Sequence, residues 1–287
     1  MRRTAWILLL LGLAGAATWW VYEKQKHEVI ELRVPGELAP LYVKVAREQG
    51  IPWEALAAMD EVEHRYRKTD QASIERQARR LKEALDGEKP NEDNIADAWE
   101  KMYSKAKAER MKHIMEAYMW QAASMADGSG FPFRAEDRKH VSYEDTWGAS
   151  RTYGGKRQHE GTDIMAPKGT PVVSVSDGEV VRKGWNRLGG WRLMIRDEHH
   201  PQMHYYYAHL SKYADGVEEG EKVKRGQVIG YVGDTGYGPE GTTGKFPPHL
   251  HFGLYVSEGL LPYPWKPVNP YALLRVWEDQ AEARARE

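Results

Sequence analysis

The sequence predicts an α+β protein of several parts: an apolar N-terminal segment, a small helical region, and an all-β antiparallel domain. Three observations support this division. Residues 5–22 carry no charge, residues 37–126 repeat apolar positions at helical spacing, and residues 141–275 contain short β-rich runs punctuated by glycine. Several short strands at such spacing are typical of a sandwich or barrel.

Composition excludes several classes of protein. The 287 residues contain 41 Lys+Arg and 42 Asp+Glu, and the formal net charge of −1 argues against a nucleic-acid partner. There is no cysteine, so disulfides, thiolate nucleophiles and Cys-bound zinc are excluded. Any metal site must therefore use carboxylates and the 11 histidines.

Residues 1–22 predict an N-terminal transmembrane anchor or signal. The uncharged stretch 5–22 would span about 27 Å as a helix, close to the ~30 Å hydrocarbon core. Arg2 and Arg3 favour an N-terminus inside the cell, and Trp19-Trp20 resembles an interfacial aromatic belt. We expect a single-pass membrane protein with its folded part outside the cytoplasm. The small residues at 14–16 suit cleavage, so secretion after signal removal is the alternative.

The rest of the chain divides by composition. Polar residues 23–36 predict a stalk, 37–126 a helical region, 127–140 a linker and 276–287 a polar C-terminal tail. Within the helical region, Gly50 stands where a C-terminal cap belongs.

The first chemical motif is His159-Glu-Gly-Thr-Asp163. Gly161 and Pro167 favour an extended segment, in which positions four apart point the same way. An imidazole and a carboxylate that face one point form half of a zinc site. A simple hydrogen bond between the two side chains is the alternative.

The second motif is His249-Leu250-His251-Phe252. The alternation predicts a strand with one polar and one apolar face, and places the two histidines about 6–7 Å apart at Cα. One imidazole can bind a metal while the other stands beside it. An exposed polar strand edge is the alternative.

The third motif is a run of tyrosines that ends in His209. A period of two predicts that Tyr205, Tyr207 and His209 share one face. His204 falls on the opposite face, and we expect it to lie at the surface with its neighbours 199–200.

Together these elements resemble the lysostaphin-type (LytM-like) zinc metallopeptidases. The matching residues are His159-x-x-x-Asp163, Tyr207-Ala208-His209-Leu210 and His249-Leu250-His251-Phe252. The segments 169–172, 177–180 and 223–230 are similar to that family's strand-and-turn framework. The resemblance covers 141–275 and implies a zinc metallopeptidase domain built on a duplicated hybrid motif.

The resemblance implies a role for each residue. His159, Asp163 and His251 would bind one Zn²⁺ and leave a fourth position for water. His249 would be the general base. His209 would steady the tetrahedral intermediate or share proton transfer. Either Tyr153 or Arg151 is a candidate oxyanion donor, although both lie in a glycine-rich loop and have a structural alternative.

The same resemblance implies a substrate. Such enzymes cut peptide bonds in bacterial peptidoglycan, either in the stem peptide or in the crosslink. The arrangement of parts is similar to the sporulation-associated type that cuts L-Ala–D-Glu. The alternative is a catalytically inactive scaffold that activates other cell-wall enzymes. Other protein partners are not indicated.

Two features depart from the family pattern. Residues 235–246 are inserted before the His249 strand, and Gly253 stands where an acidic residue is frequent. We expect the insert to border the metal cleft, with Lys245 facing a stem-peptide carboxylate and Tyr237 or Phe246 packing on apolar parts. A surface loop clear of the cleft is the alternative.

A weaker likeness concerns residues 51–64, which resemble the helix that carries the catalytic Glu of lytic transglycosylases. Glu63 would match that Glu, but His64 replaces the usual Ser. A helical spacer with an exposed Glu63 is the favoured interpretation.

Overall fold

The computed structural model describes residues 18–21, 28–125, 129–258 and 264–286. Most of the segment predicted as anchor or signal lies outside these ranges. Trp19 and Trp20 are described, in a short helical turn, and both are largely exposed. Within the described ranges, no helix combines the length and the apolar composition needed to cross a membrane.

Five helices form the predicted helical region. They are α1 (Ala39–Gln49), α2 (Trp53–His64), α3 (Gln71–Leu85), α4 (Glu92–Met102) and α5 (Lys105–Gln121). Gly50 ends α1 with a left-handed φ of 68°, as predicted. Asp70 and Asn91 each form a capping box, which satisfies the free N–H groups where α3 and α4 begin.

Two of the buried carboxylates on α2, those of Asp60 and Glu61, accept hydrogen bonds from other helices. Asp60 accepts hydrogen bonds from Tyr42 and from Gln77 Nε2, the latter at 2.7 Å. Glu61 accepts one from Tyr118 Oη at 2.6 Å. Because buried acids are tolerated only when hydrogen-bonded, these contacts tie α1, α3 and α5 to α2.

Twelve strands follow among the described residues. They are β1 (Ser142–Tyr143), β2 (Ser150–Arg151), β3 (Arg157–Gln158), β4 (Thr162–Met165), β5 (Pro171–Val173), β6 (Gly178–Asn186), β7 (Gly190–Asp197), β8 (Met203–Tyr213), β9 (Lys222–Val223), β10 (Val228–Val232), β11 (His249–Ser257) and β12 (Trp265–Val268). Ten of them form one sheet with the central order β1-β4-β11-β8-β7-β6-β9, and every pairing is antiparallel. The prediction of a helical region followed by an antiparallel β domain is confirmed.

A C-terminal helix, α6 (Tyr271–Arg286), covers the apolar face of the sheet. Trp277 is fully buried and packs edge-on against Tyr205 and Phe252, each with ring centroids 6.1 Å apart. The predicted polar tail, 276–287, therefore begins inside a helix with an apolar stripe. The many charged residues of this segment suggested a polar tail, yet Val276 and Trp277 are buried. Only one face of α6 is apolar, so the composition of the whole segment does not reveal it.

The predicted linker is also packed. Phe131 and Phe133 are buried, and the backbone N–H groups of Gly130 and Val173 bond to Val175 and Pro132. Only residues 129–140 of the segment 127–140 are described, so its N-terminal end lies outside the description.

The junction between the two halves uses side chains of α6. Trp277 Nε1 donates to the carbonyl of Ser124 and Gln280 Nε2 to that of Met125, both at 3.3 Å. The helices and the sheet therefore meet on the side of the sheet that carries α6.

His204 is buried rather than at the surface, which corrects the expectation from the sequence. It is 1% exposed, and its ring lies 4.7 Å from that of Trp265. The alternation along the strand correctly placed His204 on the face opposite to Tyr205. The strand β12, which follows much later in the chain, covers His204 on that face. Burial lowers the pKa of His204 to about 4.

This burial predicts a pH-dependent stability. Because the folded-state pKa lies below the ordinary 6.5, stability is fully present above pH 6.5 and is lost as pH falls towards 4. The loss should reach roughly 2 kcal/mol at pH 5. His204→Phe keeps an aromatic ring beside Trp265 but cannot bind a proton. The loss of stability that His204 causes at low pH should therefore be absent in this variant. Thermal unfolding of both proteins between pH 7 and 4.5 measures the difference. Parallel curves would contradict the prediction.

Candidate active site

The register of β4 against β11 brings the three predicted ligands together. His251 lies directly opposite Asp163, and His159 stands three residues before β4. The His159 Nε2 atom is 2.8 Å from His251 Nδ1 and 3.0 Å from Asp163 Oδ1. His251 Nδ1 is 3.1 Å from the same oxygen. Ligand atoms held ~2.1 Å from a tetrahedral zinc are about 3.4 Å apart, so these side chains fit such an ion closely.

Gly161 allows this approach. A Cβ at that position would lie 2.7 Å from Cε1 of His251 and 2.8 Å from its Nε2. The absence of a side chain therefore lets the His159–Asp163 segment pack directly on the ring of His251. This is the physical reason for a glycine in the middle of the motif.

Backbone carbonyls determine which ring nitrogen of three histidines carries the proton. The Nδ1 atoms of His159, His209 and His249 lie 2.7–2.8 Å from the carbonyl oxygens of Thr146, Thr235 and Pro247. A carbonyl accepts only, so each Nδ1 is the donor and each neutral ring keeps a lone pair on Nε2. The Nε2 lone pair of His159 faces the carboxylate of Asp163, an arrangement that a cation between them would stabilise.

Asp163 is held ionised. Burial alone would raise its pKa, but its hydrogen-bonding contacts with His159 and His251 outweigh this effect. The pKa therefore lies well below its usual range. Its second oxygen, Oδ2, accepts from Arg151 Nη2 at 2.6 Å. One carboxylate oxygen faces the histidines and the other is anchored by a guanidinium.

His209 occupies a β-bulge. Its φ is 62°, in the left-handed region, and the register of β8 shifts against β7 between Tyr207 and Leu210. Its ring lies 4.8 Å from that of His249. Burial, and then the neighbouring His249 and His251, lower the pKa of His209 to about 3, so the ring is neutral near pH 7.

The bulge overturns one prediction. Tyr205 and Tyr207 are fully buried on the α6 side of the sheet, whereas His209 lies on the opposite side with Tyr206. The period of two holds up to Ala208, and the extra residue of the bulge then reverses the face. A single sequence without its pairing partners carries no signal for such a bulge.

These groups line a cleft of about 710 Å³. Its floor includes the histidines and Tyr206, and its described lining comes entirely from residues between 151 and 255, so the helical region does not fill it. Glu63 lies outside the cleft, half-buried rather than exposed, and interacts with Tyr103.

The walls of the cleft come from the β2–β3 hairpin and the insert 235–246. Tyr237 of the insert stacks on Tyr153 of the hairpin, with parallel rings 4.4 Å apart. Phe246 packs against His209 and His249 at 4.5 and 5.0 Å. Tyr237 and Phe246 line the cleft as expected, whereas Lys245 is exposed and does not.

Sequence reasoning missed several residues that line the cleft, four of which carry a charge or a phenol group. Arg157, Glu160, Tyr206 and Tyr255 all face the cavity. Tyr255 lies at even spacing from His249 and His251, so the strand period was a usable signal for it. Of the two candidate oxyanion donors, Arg151 lines the cleft but is engaged by Asp163, while Tyr153 is engaged by Tyr237 and is not among the lining residues.

Comparisons with known proteins find similarity in the part of the chain that carries this site. The model of Peptidase family M23 matches residues 157–270. An L-Ala–D-Glu endopeptidase of Bacillus subtilis (strain 168) is 52% identical over 141 residues, which cover 49% of this chain and 42% of that protein. Lysostaphin of Staphylococcus simulans is 41% identical over 102 residues, which cover 34% of this chain and 18% of that protein. The chain thus spans less than half the length of these two relatives.

A solved structure extends the likeness beyond the β domain. The crystal structure of lytM from Ruminococcus gnavus ATCC 29149, which carries a glycyl-glycine endopeptidase assignment, is 33% identical with a TM-score of 0.50. The alignment covers 80% of this chain and 89% of that one. Residues 129–287 are little more than half of the present chain, so the alignment includes part of the helical region. On these grounds the chain belongs to peptidase family M23.

Proposed function

We propose that this protein is a zinc-dependent endopeptidase that hydrolyses peptide bonds in bacterial peptidoglycan. The observation that carries the proposal is the convergence of three ligand atoms beside the imidazoles of His209 and His249 on the floor of the cleft. Incubating the purified, zinc-loaded chain with peptidoglycan and measuring new amino groups tests it.

His159, Asp163 and His251 would hold the ion. Two imidazoles and one carboxylate leave a fourth position open, as catalytic zinc sites do. A zinc ion there would supply a bound water of lowered pKa and polarise the scissile carbonyl. The ionised carboxylate of Asp163 is already in the protonation state that metal binding requires.

His249 is the proposed general base. Because Nδ1 donates to the carbonyl of Pro247, the neutral ring keeps its lone pair on Nε2, which lies 3.6 Å from Asp163 Oδ1. It therefore stands beside the ligand set without belonging to it. From there it can take a proton from the attacking water and return it to the leaving amine.

His209 is proposed to share that proton. With Nδ1 committed to Thr235, its Nε2 is an acceptor in the neutral ring and becomes a donor only after protonation. Of the two roles that the family resemblance allows, this favours proton transfer over a standing donor to the tetrahedral intermediate. The packing of Phe246 on both rings excludes water from one side.

The proposed scissile bond is L-Ala–D-Glu. The support is the relative from Bacillus subtilis, which aligns over more of this chain than the lysostaphin relative does. A role in sporulation follows from the resemblance alone and stays a prediction, which expression timing would test. The inactive-scaffold alternative is less favoured because all five chemically active side chains are present and converge.

The proposed location is the outer face of the cytoplasmic membrane, where peptidoglycan is accessible. Arg2 and Arg3 before an uncharged stretch support this orientation.

The two kinds of histidine should be separable by metal content. His251→Ala removes a ligand and should lower zinc affinity by at least about 100-fold, since even outer-shell losses cost 10–100-fold. His209→Ala should leave zinc bound, and both should abolish hydrolysis. Chelator competition and peptidoglycan digestion measure the two effects, with Asp163→Ala expected to match His251→Ala. Equal zinc loss in the His209 and His251 variants would refute the assignment.

Arg151 should affect zinc binding indirectly, by positioning the carboxylate of Asp163. Because it anchors Oδ2, Arg151→Ala should lower zinc affinity by roughly 10- to 100-fold, and Arg151→Lys by less. Arg187→Ala removes an exposed arginine beside the cleft and serves as the control. Chelator competition on all three proteins gives the affinities. If Arg151→Ala binds zinc as tightly as the control, the anchoring role is wrong.

Topology can be tested directly. Arg2 and Arg3 should keep the N-terminus inside the cell, so residues beyond the apolar stretch should lie outside. A reporter that works only outside the cytoplasm should therefore be active when it is fused after residue 30. N-terminal sequencing of the membrane-bound protein separates anchor from signal. A mature chain that begins near Thr18 would establish signal cleavage.

A further inference from the structure

Two arginines line the cleft, and their surroundings differ. Arg151 is paired with Asp163 at 2.6 Å. Arg157 has no carboxylate within 4.0 Å among the residues that the structure describes, although it also faces the cavity. Arginine is always charged at physiological pH. The cleft therefore presents one guanidinium that forms no direct ion pair with a described acidic side chain, although Glu160 also lines the cleft.

Arg157 is held in place rather than free in solvent. Its Nη2 donates to Tyr237 Oη at 3.1 Å, and its guanidinium carbon lies 5.9 Å from the centre of that ring. Tyr237 is itself fixed by stacking on Tyr153. The Nε atom of Arg157 is buried and has no hydrogen-bond acceptor among the described residues. The guanidinium is therefore held in a fixed orientation at the cleft without a paired carboxylate, which points to a ligand that supplies one.

The position of Arg157 is close to the proposed chemistry. It lies on β3, two residues before His159. Two residues of extended chain span about 6–7 Å at Cα, and their side chains point to the same side. A group carried by the residue next to the scissile bond is therefore within reach of the guanidinium.

An L-Ala–D-Glu bond supplies such a group. The amino group of the acidic residue forms the scissile amide, and one of its two carboxyl groups continues the peptide. The other carboxyl group remains free, next to the scissile bond, unless it is amidated.

We propose that Arg157 is the receptor for this free carboxylate and so selects an acidic residue on the leaving side of the scissile bond. The inference rests on the proposed function and deepens it. A planar guanidinium can pair with a carboxylate through two parallel hydrogen bonds, which gives both strength and orientation. The insert 235–246 contributes through Tyr237, which orients the guanidinium.

Two synthetic peptides test the proposal. They share the L-Ala–D-Glu bond and differ only in whether the side carboxyl group is the free acid or the amide. The wild-type chain should cleave the acid with a kcat/KM roughly 10- to 100-fold higher than the amide, because one charge-assisted pair is at stake. Arg157→Gln should lose activity on the acid and retain it on the amide, so that the preference disappears.

Control variants separate this role from general effects. Arg187→Gln makes the same charge change at an exposed position beside the cleft and should keep the full preference. Tyr237→Phe removes only the hydroxyl group that holds Arg157 and should reduce the preference partially. Zinc content and thermal unfolding of each variant show whether it is folded and loaded.

A binding measurement keeps the test independent of turnover. Calorimetry with the product peptide that begins with D-Glu, and with its amidated counterpart, should show at least ten-fold tighter binding of the acid to the wild-type chain only. Arg157→Gln should bind both equally.

The outcomes distinguish the two hypotheses. If the wild-type chain cleaves neither peptide but binds the acid product through Arg157, the proposed activity fails and the receptor stands. If it cleaves acid and amide equally, or if Arg157→Gln lowers both rates to the same extent, the receptor is refuted while the peptidase activity stands.

Discussion

The antiparallel register between β4 and β11 is the constraint on which the site depends. It pairs His251 with Asp163 and, two residues earlier along β11, it pairs His249 with Met165 at the end of β4. A slip of one residue would turn every one of these side chains to the opposite face. The register is secured from the other side of the sheet, where Leu250 and Phe252 are fully buried under α6. Packing of the apolar face thus positions the chemistry on the polar face.

The backbone carbonyls around the histidines determine which ring nitrogen of each histidine donates a hydrogen bond. The carbonyls of Thr146, Thr235 and Pro247 each accept a hydrogen bond from one ring nitrogen, and all three residues lie in loops rather than in the paired parts of the sheet. They leave the opposite nitrogens as acceptors that face the cleft. The tautomer that a metal site and a general base need is therefore a property of the folded loops.

The cleft itself is assembled from irregular segments. The β2–β3 hairpin and the insert 235–246 meet through the Tyr153–Tyr237 stack, which closes one wall above the sheet. Rigid strands hold the reactive groups and loops supply the surface that a substrate meets, which is the usual division of labour on β scaffolds. The helical region contacts the β domain through α6. All the described residues that line the cleft belong to the β domain.

The sequence by itself was sufficient for the parts that obey a local period. The helical region, the antiparallel domain and the candidate ligands His159, Asp163 and His251 followed from spacing and family resemblance, because regular strands dictate where side chains point. The tertiary structure decided the rest. It turned His209 away from the face of Tyr205 and Tyr207 through a bulge, buried His204 under Trp265, and gave Arg151 and Arg157 different partners. In each case the outcome depends on a contact with a segment distant in the chain, which no local pattern of residues encodes.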